Sequence, residues 1–231
     1  MQVQDIFEKY CDHILRKYIF NGYQRIEFRA LLVGLKEYSP EGKLVAQHDE
    51  RSFASSFEKV YDKLKLEHPT LTVGFIFFGL KCLSDEENEA ILRKVCNLNW
   101  KLTVGIDFVQ AEDPYGSLEK YDKIADKVLG DYPDQWLKKC YHAGDTRDHL
   151  NHNIEIALKG GSARIGHGLN ITQHIEILPL CSGVCFELCP VSNVITASSA
   201  RLDLRLSTAP ILLGLGVPVS INPDDPGKFG Y

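Results

Sequence analysis

The chain has 231 residues, 44% hydrophobic and 25% charged, with 18 glycines and 10 prolines, which excludes a disordered, collagenous or low-complexity protein. Its 26 Lys and Arg against 31 Asp and Glu give a formal net charge of −5, arguing against a protein that tracks nucleic-acid phosphates with a basic face. No apolar run approaches the roughly 18–20 residues of a bilayer span; Leu71–Leu80 and Ala209–Ile221 come nearest and are broken by Gly or Pro.

The first segment, Met1–Phe20, spreads Asp5, Glu8, Lys9, Asp12, Arg16 and Lys17 among Val3, Phe7, Tyr10, Ile14 and Tyr18 at helical spacing. That predicts an amphipathic helix and no secretion signal. A strand follows at Gln24–Leu32, then a polar turn around Ser39-Pro40-Glu41-Gly42 and a helix over Ser52–Leu66 with Phe53, Phe57, Val60 and Leu64 on one stripe. Leu71–Leu80 reads as a buried strand, and Ser84 with Glu87 as the capping box of the next helix. Further on come strand Leu102–Val109, helix Ser117–Leu129 ended by Gly130, strand Lys138–Ala143, and helix Asp148–Lys159 stopped by Gly160-Gly161. The chain continues with strand Ala163–Gly168, a short helix near Gln173–Leu178, strand Gly183–Leu188, a helical stretch near Leu202–Leu213 and strand Val217–Asn222. Seven cysteines without a CxxC pair are expected to be mostly reduced, buried small hydrophobes. Asn170-Ile171-Thr172 is a glycosylation sequon.

The strands are continuous apolar runs, as in sheets covered on both faces. Their alternation with helices implies right-handed βαβ units around a parallel sheet. A doubly wound open sheet and a closed barrel both fit that pattern. Polar residues decide between them: Glu27, Arg29, Asp107, His142, His167, Glu187, Asp224 and Asp225 fall at the C-terminal ends of successive strands. A barrel delivers chemistry from many strand ends, whereas an open sheet concentrates it at one switch point. No GxGxxG or P-loop is present. The expected fold class is therefore α/β, a (β/α)8 TIM-type barrel forming a single domain over residues 1–231.

Three segments carry ionisable residues just past apolar strands: Tyr141-His142-Ala143-Gly144-Asp145, Arg164-Ile165-Gly166-His167-Gly168 and Ser220-Ile221-Asn222-Pro223-Asp224-Asp225-Pro226. Singly, a strand-end His is an ordinary hydrogen-bonding residue and Asp-Asp-Pro an ordinary turn. Together, on consecutive strands, they point to metal ligands with a carboxylate beside them as general acid or base.

In these segments, and in Arg25–Leu32, Val104–Val109 and Glu187–Asn193, the chain resembles the adenosine deaminase family, most closely its adenosine deaminase-related growth factor branch. The resemblance runs through essentially the whole chain in order. It implies a (β/α)8 barrel and a zinc-dependent conversion of adenosine or deoxyadenosine to inosine and ammonia by hydrolytic attack at C6. By resemblance His142 and Asp224 are zinc ligands, and His167 orients and polarises the hydroxide held by the zinc. Asp145 is the proton-shuttling acid, Asp225 contacts the purine at N7, and Gln110 sits where the family backbone lines the pocket. Ser192 and Asn193 are expected to shape the loop after their strand.

The chain departs from the family in three places. Asp145 stands where the family has Glu, so the stem is shorter by one methylene, roughly 1.5 Å. The His-x-His that supplies two more zinc ligands is missing, since no two of the eight histidines are separated by one residue, and tight zinc binding by this chain alone is not expected. Gln110-Ala111-Glu112-Asp113 replaces a Gly-x-Glu-Asp segment, where a Gln side chain crowds the pocket or swings aside. Matched to the family, the chain lacks the first barrel strand and the C-terminal helices, so a partner chain or missing segment would complete the barrel. An alternative is a catalytically impaired deaminase-like scaffold or subunit. The expected ligand is a purine nucleoside, with no nucleic acid or membrane partner. The location expected from this chain is cytoplasmic, or extracellular if it is a piece of a secreted relative.

Overall fold

In a computed structural model describing residues 2–146, 148–196 and 207–229, the first segment forms α1 (Gln4–Phe20). Its buried stripe is Phe7, Cys11 and Leu15, while Tyr10 is exposed. The apolar arc is wide enough for more than one centre line. The choice is fixed by α2 (Arg51–Glu67), whose Phe53 ring meets Phe7 at 4.7 Å. Along α2 the predicted stripe of Phe53, Phe57, Val60 and Leu64 is buried.

The described residues group into two units, Met1–Phe78 with Ala90–Val104, and Gly79–Glu89 with Gly105–Tyr231. In the first, β1 (Arg25–Ala30) runs parallel to β4 (Thr72–Leu80), with Arg25 opposite Thr72 and Ala30 opposite Phe77. Val73 to Phe77 are all buried, as expected of a strand covered on both faces. Phe75 is the centre of this core: the rings of Phe28, Phe53, Phe57, Phe77 and Trp100 lie 4.7–5.6 Å from it. The predicted polar turn at residues 39–42 is the tip of an antiparallel hairpin, β2 (Lys36–Tyr38) and β3 (Leu44–Gln47). Leu44 and Val45 are both exposed, so the hairpin has no in/out alternation by which to be read.

In the second unit β5 (Thr103–Val109), β6 (Lys138–Ala143), β7 (Arg164–His167), β8 (Cys185–Leu188) and β9 (Val219–Ile221) pair parallel, each with the next. This register brings the C-terminal ends of five consecutive strands to one edge. The capping box forms at the start of α3 (Asp85–Leu98): the Glu87 N–H donates to Ser84 Oγ at 3.2 Å and the Ser84 N–H to Glu87 Oε2 at 2.9 Å. The other helices are α4 (Glu112–Tyr115), α5 (Glu119–Asp131), α6 (Asn153–Lys159), α7 (Pro190–Thr196), α8 (Ala209–Gly214) and α9 (Pro226–Phe229).

Four helix readings are adjusted. α5 runs through Gly130 to Asp131. α6 starts only at Asn153, because Asn151 Oδ1 accepts the Asn153 N–H at 2.9 Å and holds the preceding residues in a turn. Two 3-10 segments, Leu169–Gln173 and Ile175–Cys181, replace the short helix near 173–178; Pro179 lies inside the second and cannot donate to an α-helical ladder. Ser192 and Asn193, expected in a loop, lie on α7. Of the stretch near Leu202–Leu213, residues 202–206 lie outside the described residues, and α8 covers its end.

None of the seven cysteines is in a disulfide, and five are buried. Burial pushes the Cys11 thiol up to about 12 and that of Cys96 to about 11. No helix among the described residues is long and apolar enough to cross a membrane.

Candidate active site

β6 ends in His142 and Ala143, and β7 ends in His167, after runs of buried residues. The glycines between and beyond them set the spacing. A Cβ on Gly166 would meet the His142 backbone and ring at 3.5–3.6 Å, whereas one on Gly168 would fall 2.5 Å from the Phe186 ring. His167 itself has φ +67°, and Asp224 in the turn after β9 has φ +59°. Non-glycine residues adopt this left-handed region at a cost, and such positions gather at functional sites.

The two imidazoles are each oriented by a separate acceptor. His142 Nδ1 lies 2.6 Å from Asp107 Oδ2, and Asp107 Oδ1 accepts the backbone N–H groups of His142 at 2.9 Å and Phe108 at 2.7 Å. Asp107 is fully buried. A carboxylate facing these donors acts as acceptor, so Nδ1 carries the proton and Nε2 keeps its lone pair. At His167, Nδ1 lies 2.8 Å from Asn193 Oδ1, which again leaves Nε2 available as a donor atom.

His142, His167 and Asp224 each offer one atom to a group whose members lie within 4.8 Å of one another. His167 Nε2 stands 3.9 Å from Asp224 Oδ2, and the two imidazole centroids are 5.1 Å apart. Two imidazoles and one carboxylate form a donor set that zinc accepts at catalytic centres with a fourth position open. The sequence count of two ligands thus becomes three candidate donors. Asp145 Oδ1 lies 3.5 Å from His167 Nδ1. Burial raises the Asp145 carboxyl above its usual range; His167 and His142 oppose that shift, while Glu112 and Asp224 add to it.

The other two expected site residues lie at the margin. Gln110 holds φ +105°, a glycine-like backbone, and its side chain swings aside so that Oε1 accepts the Cys82 N–H at 2.8 Å. Asp225 is exposed, one residue beyond Asp224, and its carbonyl accepts the Lys228 N–H at 2.9 Å. Sequence reasoning counted Asp107 among the strand-end polar residues but gave it no role at the site, and read Asn193 as a loop residue. Asp107 had a usable signal, a lone carboxylate inside the apolar run Val104–Val109; Asn193 had none.

Residues 38–231 match the family model described as adenosine deaminase. The chain is 28% identical over 233 residues to adenosine deaminase 2 of Dictyostelium discoideum, a match that covers 96% of this chain and 41% of that protein. An adenine deaminase from Arthrobacter aurescens superposes with a TM-score of 0.77 at 18% identity, covering 100% of this chain and 65% of that one. An amidohydrolase from Burkhoderia ambifaria with bound Zn superposes with a TM-score of 0.72 at 16% identity, covering 98% of this chain and 59% of that one. The structural likenesses show the fold, part of a (β/α)8 barrel of TIM type. The chain spans less than half the length of the curated relative.

Proposed function

Because the chain belongs to the adenosine deaminase family, we propose that it carries the strand-end machinery of a zinc-dependent deaminase: adenosine or deoxyadenosine and water enter, inosine or deoxyinosine and ammonia leave. One observation carries the reading: His142 and His167, each oriented by a buried acceptor, group with Asp224 within 4.8 Å. When bound there, zinc polarises water and lowers its pKa to about 7.

The remaining roles belong to the chain. His142 and Asp224 hold the metal, with His142 kept in one tautomer by Asp107. His167 presents Nε2 beside Asp224 and orients the attacking water toward C6. Asp145 donates a proton at N1 of the purine, which makes C6 more electrophilic; the bond from water oxygen to C6 then ends the ring's aromaticity. Asp225 is the residue placed against the purine at N7. Gln110, just past the end of β5, borders the space for the base. The names of the matched proteins, adenosine deaminase 2 and adenine deaminase, support a purine substrate.

The test is metal analysis of the purified chain coupled to an inosine-release assay. Zinc near one equivalent with inosine formed is the expected result. Absence of both overturns the reading and favours the scaffold alternative, which rests on the missing His-x-His. In the active protein Asp145→Glu restores one methylene of reach and is expected to raise turnover by about tenfold or more, since misplacement of about 1 Å costs on the order of 100-fold. Unchanged turnover with zinc bound removes Asp145 from the proton-transfer role.

A further inference from the structure

Beneath the Asp145 turn lies a buried ion pair that the reaction as described does not use. Glu112, the first residue of α4, is 1% exposed. Its Oε2 accepts the Gly144 N–H at 3.2 Å and the side-chain amides of Asn151 at 2.9 Å and Asn153 at 3.0 Å. Its Oε1 accepts the Asp145 N–H at 3.4 Å. Among the described residues the cation paired with it is Lys81, whose Nζ stands 3.9 Å from Oε1 with neither side chain exposed. That Nζ has no hydrogen-bond partner among the described residues.

Two charges withdrawn from water in this way often contribute no more stability than apolar residues of the same volume. Their use lies in what they hold. Gly144 has φ +73°, and a Cβ there would fall 2.4 Å from Asn170 Oδ1, so the backbone that carries Asp145 is confined on one side by packing and on the other by Glu112. We infer that Lys81 and Glu112 are a positioning pair: Glu112 clamps the Gly144 and Asp145 amides and so sets where the Asp145 carboxyl meets the purine, while Lys81 balances the buried charge. The inference rests on the proton-transfer role proposed for Asp145. The short Asp stem makes the clamp more consequential, because the side chain has less reach with which to correct a displaced backbone.

The experiment compares Glu112→Gln and the double variant Lys81→Met/Glu112→Gln with the parent chain. A Gln side chain accepts at one end only, so either the Asp145 amide or the Gly144 group faces an NH2. Glu112→Gln is expected to lower kcat about 10- to 100-fold, with KM within about threefold and the zinc content of the parent. The double variant removes both charges and regains the parent Tm, yet its kcat stays low. Recovery of kcat together with Tm would show a purely structural pair and overturn the inference. Amide exchange at Gly144 and Asp145 provides a readout independent of turnover, and is expected to accelerate about tenfold in both variants relative to the neighbouring β6 amides. If the parent forms no inosine, the deaminase reading fails and exchange alone decides whether Glu112 clamps this turn. Unchanged exchange in both variants overturns it.

Discussion

At residue scale, Asp107 and Asn193 divide one task unequally. Each takes the Nδ1–H of a site histidine, but one is a buried anion and the other a neutral amide. A carboxylate strengthens its imidazole as a metal donor, which favours His142 for the ligand role proposed above and His167 for the water-orienting one. Asp107→Asn is expected to weaken zinc binding about 10- to 100-fold, read by competition with a chromogenic chelator; unchanged affinity would show that the His142 tautomer is fixed elsewhere. His142, His167, Asp145 and Asp224 were legible because each is an ionisable residue where an apolar run ends. The contacts of Glu112, Lys81 and Asn193 were not, since their partners are 26 or more residues away along the chain and no local spacing records such a meeting.

At the scale of elements, the readings succeeded where one force dominates. Continuous apolar runs marked β4 through β8 because both faces are covered, and Ser84 with Glu87 marked a helix start because the capping geometry is local. Ser84→Ala is expected to cost about 1 kcal/mol and Phe75→Ala about 3–5 kcal/mol, both measured by urea unfolding. A Phe75→Ala loss below about 1 kcal/mol would show that the aromatic cluster refills the space. Boundaries slipped where side chains compete with backbone: Asn151 delays α6, and Pro179 holds its turn in 3-10 form. The β2–β3 hairpin escaped because its strands are exposed and carry no alternation.

At the scale of the whole molecule, seven unbridged thiols define a chemical fingerprint. Only Cys82 is exposed, Cys185 is half-buried, and the other five are buried. Titration of the native chain with an aromatic disulfide at pH 8 is expected to modify Cys82 rapidly and the buried five only on unfolding. Rapid reaction of five or more thiols would contradict the packing. The strand–helix alternation that predicted the barrel class was legible throughout, because it repeats along the chain and tolerates local errors.

The left-handed backbone at His167 and Asp224 has a consequence for any effort to improve this protein. Glycine at either position would relieve roughly 1 kcal/mol of backbone strain while removing a side chain of the proposed metal group. At half-buried Asp224, selection for heat tolerance alone therefore pulls against the proposed chemistry, whereas at buried His167 the cavity left by glycine opposes the gain.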